Sequence, residues 1–290
     1  MAAPHHPAPQ EDPVPHRPTR RAALAGAVVA PLGLALGAPS AAAAGSVDME
    51  AVVLAAQVDP RRPDSALTTG AGSSVRLVER ALADRGLLDP AYVDGHFGTL
   101  TVSAYAAWQR SLGYTGLAAN GLPGRTSLTR LGDGRWTVVR PLTPGSKVAF
   151  RGVTVNTRTR SMLRAAEARA GRTLVVEQGS YNPGGDPTSA GTHDGGGTLD
   201  LDAEALGPAA RTSVVRALRE VGFAAWLRSP AQGDWPWHVH AVAMSDTDLS
   251  SAAQHQVGDY HLGRNGLANR GPDDGPRVTI RTWEEYQRPS

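Results

Sequence analysis

The amino-acid sequence predicts an α+β protein in two parts, a small helical module followed by a larger module built around an antiparallel sheet. Apolar residues recur at helical spacing between residues 73 and 131. Beyond residue 150, short apolar strands mix with helices without a regular strand–helix–strand rhythm. That irregular order favours an antiparallel sheet over a parallel one. The length of 290 residues suits two domains of ordinary size.

The composition limits the chemistry that the chain can perform. It has 29 Lys and Arg residues against 27 Asp and Glu residues, and no Cys. A net charge of +2 argues against a nucleic-acid partner, because proteins that neutralise phosphates carry a clear basic excess. Without Cys there is no disulfide, no thiolate metal cluster and no Cys nucleophile. Any transition metal must therefore be held by His and carboxylate side chains.

Residues 1–44 resemble an export signal of the twin-arginine kind. Arg20 and Arg21 precede a weakly apolar run that ends in four alanines at position 44. The alternative is a membrane anchor, which two prolines and several glycines within the run disfavour. We therefore expect cleavage near Ala44, no stable membrane span afterwards, and a secreted or cell-wall location. Removal of this segment leaves 26 basic and 25 acidic residues, a nearly neutral mature chain.

The helical module is expected over residues 73–132, after a linker at 45–72. Two turns, at Asp94-Gly95 and Asn120-Gly121, separate its apolar helical stretches. Glycine permits the positive φ angle that such turns need, so the two halves form an internal near-repeat of turn and helix.

The residues around these turns resemble the three-helix peptidoglycan-binding domain. The resemblance lies in the stretch 93–98 and in five further positions, Thr101, Gln109, Gly121, Gly124 and Thr126. It implies that the module binds peptidoglycan, through its glycan strands and stem peptides, and tethers its neighbour to the cell wall. His96 stands where the family usually has an aromatic residue. The alternative is an unrelated three-helix bundle whose glycines only form turns.

The larger module is expected over residues 147–290, after a second linker at 133–146. The patterns predict two helices, four strands and a Gly- and Pro-rich loop. The helices are predicted at 157–170 and 208–221, the loop at 179–189, and the strands at 173–177, 198–202, 223–227 and 237–244.

Two motifs of histidine and carboxylate carry the candidate chemistry. His193 ends the loop and Asp200 lies on the next strand, so a glycine-rich turn can bring the two side chains together. His238 and His240 lie two apart on the last strand and therefore face the same way. Two His and one Asp that converge make a zinc site with a fourth position for water, as in catalytic sites. The alternative for each motif alone is an ordinary core or surface histidine.

The spacing of these motifs resembles the zinc D-alanyl-D-alanine peptidase and hedgehog superfamily. The matching pattern is Ser-x-Gly-Thr-His-x-Gly-Gly-Gly-x-x-Asp followed by Trp-His-x-His, between residues 189 and 240. The resemblance implies that His193, Asp200 and His240 are the zinc ligands. It also implies that His238 stays unligated beside the metal, where it contacts the substrate or the developing oxyanion.

Asp234 stands where many relatives have the Glu that acts as general base. Asp is one methylene shorter, and the alternative is an ordinary turn residue after Gly233. The substrate-side Arg of the superfamily has no clear counterpart in residues 177–181. Trp235 and Trp237 are expected either in the cleft wall or in the core. The polar tail 254–274 either folds over the site or extends into solvent.

Together the motifs predict a secreted zinc peptidase that cuts peptide bonds of the cell wall, as a D,D-carboxypeptidase or an endopeptidase. The implied mechanism is metal-assisted amide hydrolysis, with Asp234 as the proton acceptor. The alternative is a zinc-containing wall-binding protein without hydrolytic activity. The departure at Asp234 and the missing Arg both permit that alternative.

Overall fold

A computed structural model describes residues 45–289 as a mixture of helices and small sheets, in agreement with the α+β prediction. The predicted export signal, residues 1–44, lies outside the described residues. Within the described range, no helix has the length and apolar character needed to cross a membrane.

The described elements alternate irregularly along the chain. The helices are α1 (Met49–Val58), α2 (Gly72–Ala83), α3 (Thr99–Ser111), α4 (Arg125–Leu131), α5 (Thr157–Ala170), α6 (Pro208–Glu220), α7 (Ser251–His261) and α8 (Trp283–Gln287). The strands are β1 (Ser46–Asp48), β2 (Thr137–Val139), β3 (Lys147–Phe150), β4 (Val153–Asn156), β5 (Val176–Gln178), β6 (Thr198–Asp202), β7 (Phe223–Arg228) and β8 (His238–Ala243).

The segment predicted as a linker at 45–72 instead contains β1 and α1. Asp48 caps α1 by accepting a hydrogen bond from the Ala51 N–H at 3.3 Å. Seven of the ten residues of α1 are buried, because α2 and α7 pack against it. A helix covered on several sides has no single apolar stripe, so its periodicity gives no amphipathic signal.

The second predicted linker, 133–146, is also part of the folded structure. Its strand β2 pairs in parallel with β1, and Trp136 and Leu142 are buried in the apolar core of the helical module. That core continues through Met244 and Val257 of the larger module. A three-residue strand is too short for a period of two to be recognised in sequence. The two modules thus share one core and are not joined by exposed linkers.

The central sheet of the larger module has the strand order β5-β6-β8-β7, with every neighbouring pair antiparallel. One face packs against α5 and α6 through residues such as Leu199, Leu201 and Val239. Helix α5 and strand β6 have the predicted bounds, and β7 ends one residue later than predicted, at Arg228.

The opposite face of the sheet carries polar side chains in two rows. Paired residues on neighbouring strands project to the same face. One row runs across all four strands and contains Gln178, Asp200, His240 and Trp226. The next row contains Asp202, His238 and Arg228.

Helix α7 lies between this second face and α1, in the part of the chain predicted as a polar tail. Its Val257 and Tyr260 are buried, and Asp259 pairs with Arg61 at 2.7 Å. At Gly258 the helices approach closely, since a Cβ there would lie 2.8 Å from the Gln57 carbonyl oxygen. The helix therefore connects the helical module to the polar face of the sheet.

Candidate metal centre

His193, Asp200 and His240 converge on one point of the polar sheet face. One potential ligand atom from each residue lies within 4.8 Å of the other two. His193 Nε2 is 3.1 Å from Asp200 Oδ2, and His240 Nδ1 is 2.7 Å from Asp200 Oδ1. These residues are hereafter called the metal group. They could hold a metal ion, and no second group of this kind occurs among residues 45–289.

The glycine run after His193 determines where its imidazole lies. At Gly195 a Cβ would lie 2.3 Å from the Asp248 carbonyl oxygen, so the backbone passes too close for any larger residue. Gly197 has a φ angle of +78°, which other residues rarely adopt. Thr198 then ties the turn together by donating a hydrogen bond to the Thr192 carbonyl at 3.0 Å. The chain thereby returns His193 to Asp200 on β6.

Hydrogen bonds on the far side of each imidazole fix its tautomer. His193 Nδ1 is 2.8 Å from the Gly179 carbonyl oxygen and donates to it. Its Nε2 is buried, and the angle to Asp200 is unsuitable for a hydrogen bond, so this nitrogen has no such partner among the described residues. His240 Nε2 donates to Gln256 Oε1 at 2.8 Å, and Gln256 Nε2 donates to the Gly266 carbonyl at 3.1 Å.

The ligand atoms of the metal group lie close together. His240 Nδ1 is at hydrogen-bond distance, 2.7 Å, from Asp200 Oδ1, and a proton on that nitrogen satisfies the contact when no ion is present. His193 Nε2 has no hydrogen-bond partner among the described residues. Carbonyl and amide partners behind ligating histidines are characteristic of metal sites. The donor set therefore fits a metal ion, which would take the place of the proton on His240.

The two histidines of the metal group differ in how readily they hold a proton. Burial alone would raise the pKa of Asp200, but the adjacent His240 and His193 hold that pKa well below its usual range. Burial lowers the pKa of His240 by more than Asp200 raises it. Burial also lowers the pKa of His193, but there Asp200 outweighs it and the pKa is raised. The ionised carboxylate is the state that metal ligation requires, and metal binding would displace protons from the imidazole nitrogens that face it.

A cavity of about 600 Å³ lies beside the metal group. Its lining includes Gln178, Gln256, Trp235 and residues 266–268 of the polar tail. His238 also lines it, with Nε2 at 4.0 Å from Asp200 Oδ1 and Nδ1 at 2.9 Å from the Pro236 carbonyl oxygen. His238 thus lies beside the metal group without belonging to it.

Asp234 is less well placed than its sequence position suggests. It is exposed in the loop between β7 and β8 and is not among the residues that line the cavity. Its neighbour Trp235 lines the cavity, whereas Trp237 packs against the sheet core. A role for Asp234 therefore stays a prediction.

Glu177 is a carboxylate of the cavity that sequence patterns missed. A bulge in β5 places two residue steps, from Val176 to Gln178, opposite the single step from Leu201 to Asp200. Because of this extra residue, both Glu177 and Gln178 line the cavity. Glu177 is exposed, as Asp234 is, but it lines the cavity. Partial desolvation, followed by the charge of Asp202, raises the pKa of Glu177. The alternating pattern of the strand does not predict this bulge.

Arg228 was also missed, because the predicted strand stopped at residue 227. It is the last residue of β7, lies opposite His238 and lines the cavity. Extending the strand from Trp226 to the next residue on the same face would have indicated Arg228.

No protein-family model, curated protein or solved structure matches the chain. The function therefore has to be inferred from the residues of the site.

Proposed function

We propose that the protein is a secreted zinc peptidase that hydrolyses peptide bonds in cell-wall peptidoglycan. The observation that carries the proposal is the convergence of His193, Asp200 and His240 at a cavity, with a carbonyl or amide oxygen behind each imidazole. Two nitrogens and one oxygen in a chain without Cys suit zinc. Three protein ligands leave a position for water or substrate, as catalytic zinc sites do.

The chemistry that zinc supplies in such a site is Lewis acidity, which polarises a carbonyl and brings the pKa of water to about 7. The chain's own residues orient the substrate and move protons. The bond to the Pro236 carbonyl fixes the His238 ring so that Nε2 remains for the substrate. When protonated, that nitrogen donates to the oxygen on which negative charge develops.

Two carboxylates are candidates for the proton acceptor. Asp234 has the sequence position that the resemblance implies, whereas Glu177 lines the cavity. A carboxylate with a raised pKa also returns a proton more readily to the leaving amine near neutral pH. We assign this proton transfer to Glu177.

The helical module supports peptidoglycan as the substrate. Its resemblance to peptidoglycan-binding domains implies attachment to the wall, which raises the local concentration of the enzyme at an insoluble substrate. A second cavity, of about 730 Å³, is lined by residues of both modules, including Asn120 and Tyr181. A wall polymer on the helical module would thus lie beside the larger module.

The experiment is digestion of purified cell wall by the zinc-loaded protein, with mass spectrometry of the products. We expect new amino and carboxyl ends, and we expect Glu177→Gln to remove most of the activity. Asp234→Asn is the matched variant and should remain active.

The alternative function is a zinc-containing protein that binds the wall without cutting it. An absence of products between pH 5 and 9, with zinc confirmed bound, would establish the alternative and overturn the peptidase proposal. Loss of activity in Asp234→Asn together with an active Glu177→Gln would return the proton transfer to Asp234.

A further inference from the structure

Hydrogen-bond donors without partners are concentrated around the cavity beside the metal group. Nine buried side-chain nitrogen or oxygen atoms lack a hydrogen-bond partner among the described residues, and four of them belong to residues that line this cavity. One is His193 Nε2 of the metal group. The other three are the donors Gln178 Nε2, Arg228 Nη2 and Trp235 Nε1. Since buried polar groups normally find partners, three such donors around one cavity indicate an acceptor that comes from a ligand.

Arg228 is the strongest of these donors. Its side chain is 3% exposed, and Nη1 donates to the Asn265 carbonyl at 2.8 Å while Nη2 has no partner. Burial lowers the pKa of Arg228 to about 10, so the guanidinium is still charged at neutral pH. Asp200, Asp274 and Asp273 act on this charge from beyond ion-pair distance, so Nη2 is left without a hydrogen-bond partner among the described residues. Burial of a charged donor without such a partner is costly.

Arg219 of the same module is a buried arginine whose hydrogen bonds are all made within the protein. It is 1% exposed, and all three guanidinium nitrogens donate hydrogen bonds. They contact the Ala225 carbonyl, the Pro276 carbonyl and Asp273 Oδ1 at 2.8 to 2.9 Å. Arg219 is absent from the cavity lining, whereas Arg228 belongs to it.

The register of the sheet puts Arg228 close to the metal group. It is paired with His238, one row away from the pair of Trp226 and His240. Rows two residues apart along a strand are separated by about 7 Å. In a peptide, the terminal carboxylate lies within one residue, about 3.6 Å, of the last amide. A hydrogen bond of about 2.9 Å to the guanidinium and the contact at the metal group make up the remaining distance, so one cavity can hold that amide at the metal group and its carboxylate at Arg228.

We infer that Arg228, assisted by Gln178 and Trp235, binds the free terminal carboxylate of the substrate, so that the enzyme removes the last residue of a stem peptide. This inference rests on the proposed function and selects carboxypeptidase over endopeptidase. A guanidinium binds a carboxylate through two parallel hydrogen bonds, which a neutral amide does not reproduce. Hydrolysis breaks the last C–N bond, adds the hydroxyl of water to the acyl carbon and its proton to the amine, and releases one amino acid.

The test is a binding measurement that does not depend on turnover. N-acetyl-D-alanyl-D-alanine and its C-terminal amide are titrated into the metal-free full chain and into the zinc-loaded Glu177→Gln variant, in which most of the turnover is removed, with calorimetric detection. We expect the carboxylate form to bind at least about tenfold more tightly than the amide in both states. Arg228→Gln should remove this preference, and Arg228→Lys should restore part of it.

Arg219→Gln is the matched control, because it removes a buried arginine away from the cavity and should keep the ratio of the two affinities. If Arg228→Gln does not fold, the ratio of the two probe affinities measured on the unaltered protein still tests for the carboxylate preference. Equal binding of the two probes by the unaltered protein would overturn the inference.

The outcomes also separate this inference from the proposed function. Release of new peptide ends from the wall without any carboxylate preference would leave the peptidase proposal standing and remove the role of Arg228. A preference that depends on Arg228, in a protein that cuts nothing, would keep the carboxylate site and overturn the peptidase proposal.

Discussion

Buried carboxylates occur in both modules of the described structure, and their hydrogen bonds differ in kind. In the helical module, Asp59 accepts hydrogen bonds from the N–H groups of Thr68 and Phe97 at 3.0 to 3.1 Å. Glu79 accepts one from the Gly95 N–H at 2.8 Å. These carboxylates are thus bonded to backbone N–H groups of other segments of the helical module. In the larger module, Asp200 meets the imidazoles of two histidines instead.

Burial of an acid does not by itself define a metal site. The groups that surround the carboxylate do, since backbone N–H groups satisfy it fully whereas imidazoles are themselves metal ligands. Desolvation raises the pKa of Glu79 to about 7, whereas neighbouring imidazoles hold the pKa of Asp200 well below its usual range. The first carboxylate stabilises turns of the helical module, and the second is ionised and available to a cation. Three variants test this contrast.

The largest effect is expected from Asp200→Ala. Because it removes the only carboxylate of the metal group, zinc retention and hydrolysis should be lost together. Asp202→Asn is the matched control, since Asp202 lies on the same face of β6 and its Oδ1 accepts a hydrogen bond from the Glu204 N–H. Elemental analysis after dialysis measures the zinc content. An Asp200→Ala protein that keeps stoichiometric zinc would exclude Asp200 from the ligands.

Glu79→Gln should change the pH dependence of stability and leave the metal group unaffected. The pKa of Glu79 is about 7 in the folded state against an ordinary 4.5, so between these values the folded state holds a proton that the unfolded state has lost. The free energy of unfolding contributed by Glu79 therefore falls as pH rises from about 4.5 to 7, by about 3 kcal/mol in total.

Urea unfolding at pH 4 to 8 measures this effect as the difference between the two proteins. The amide that Glu79→Gln introduces accepts from Gly95 and donates to Thr101, so these contacts remain. The free energy of unfolding of Glu79→Gln should therefore not show this fall over the same pH range. Equal pH dependence in both proteins would contradict the assignment.

The smallest of the three effects is expected from Gln256→Leu. Loss of the Oε1 acceptor frees the His240 tautomer, and changes of this kind typically weaken metal binding by about 10- to 100-fold. Competition with a chelating dye measures the affinity. Gln254→Leu on the same helix is the control, because its amide donates to the Leu249 carbonyl and does not touch the metal group. Equal zinc affinity in the two variants would refute this role of Gln256.

Sequence patterns predicted the metal group because its signals are local. The glycine run after His193 and the alternation of His238 and His240 require only a turn and a strand, and both formed where expected. The bounds of α5 follow from its periodicity, from the Asn156 cap and from Gly171 in the left-handed conformation at its end.

The features that sequence patterns did not predict depend on contacts between residues that are distant in sequence. Helix α1 is covered by α2 and α7, so it shows no amphipathic stripe. The helix of the tail, α7, depends on its packing against α1 and on the hydrogen bond that its Gln256 accepts from His240. The bulge that exposes Glu177 to the cavity is a property of strand pairing, which one strand does not encode alone.

The central claim is that His193, Asp200 and His240 bind one zinc ion at the cavity. X-ray absorption spectroscopy of the full chain loaded with one equivalent of zinc tests it most directly. We expect a four-coordinate ion with two imidazole nitrogens and two oxygens, and loss of that coordination in Asp200→Ala. A zinc ion coordinated only by water, or a spectrum unchanged by Asp200→Ala, would exclude zinc binding by the metal group.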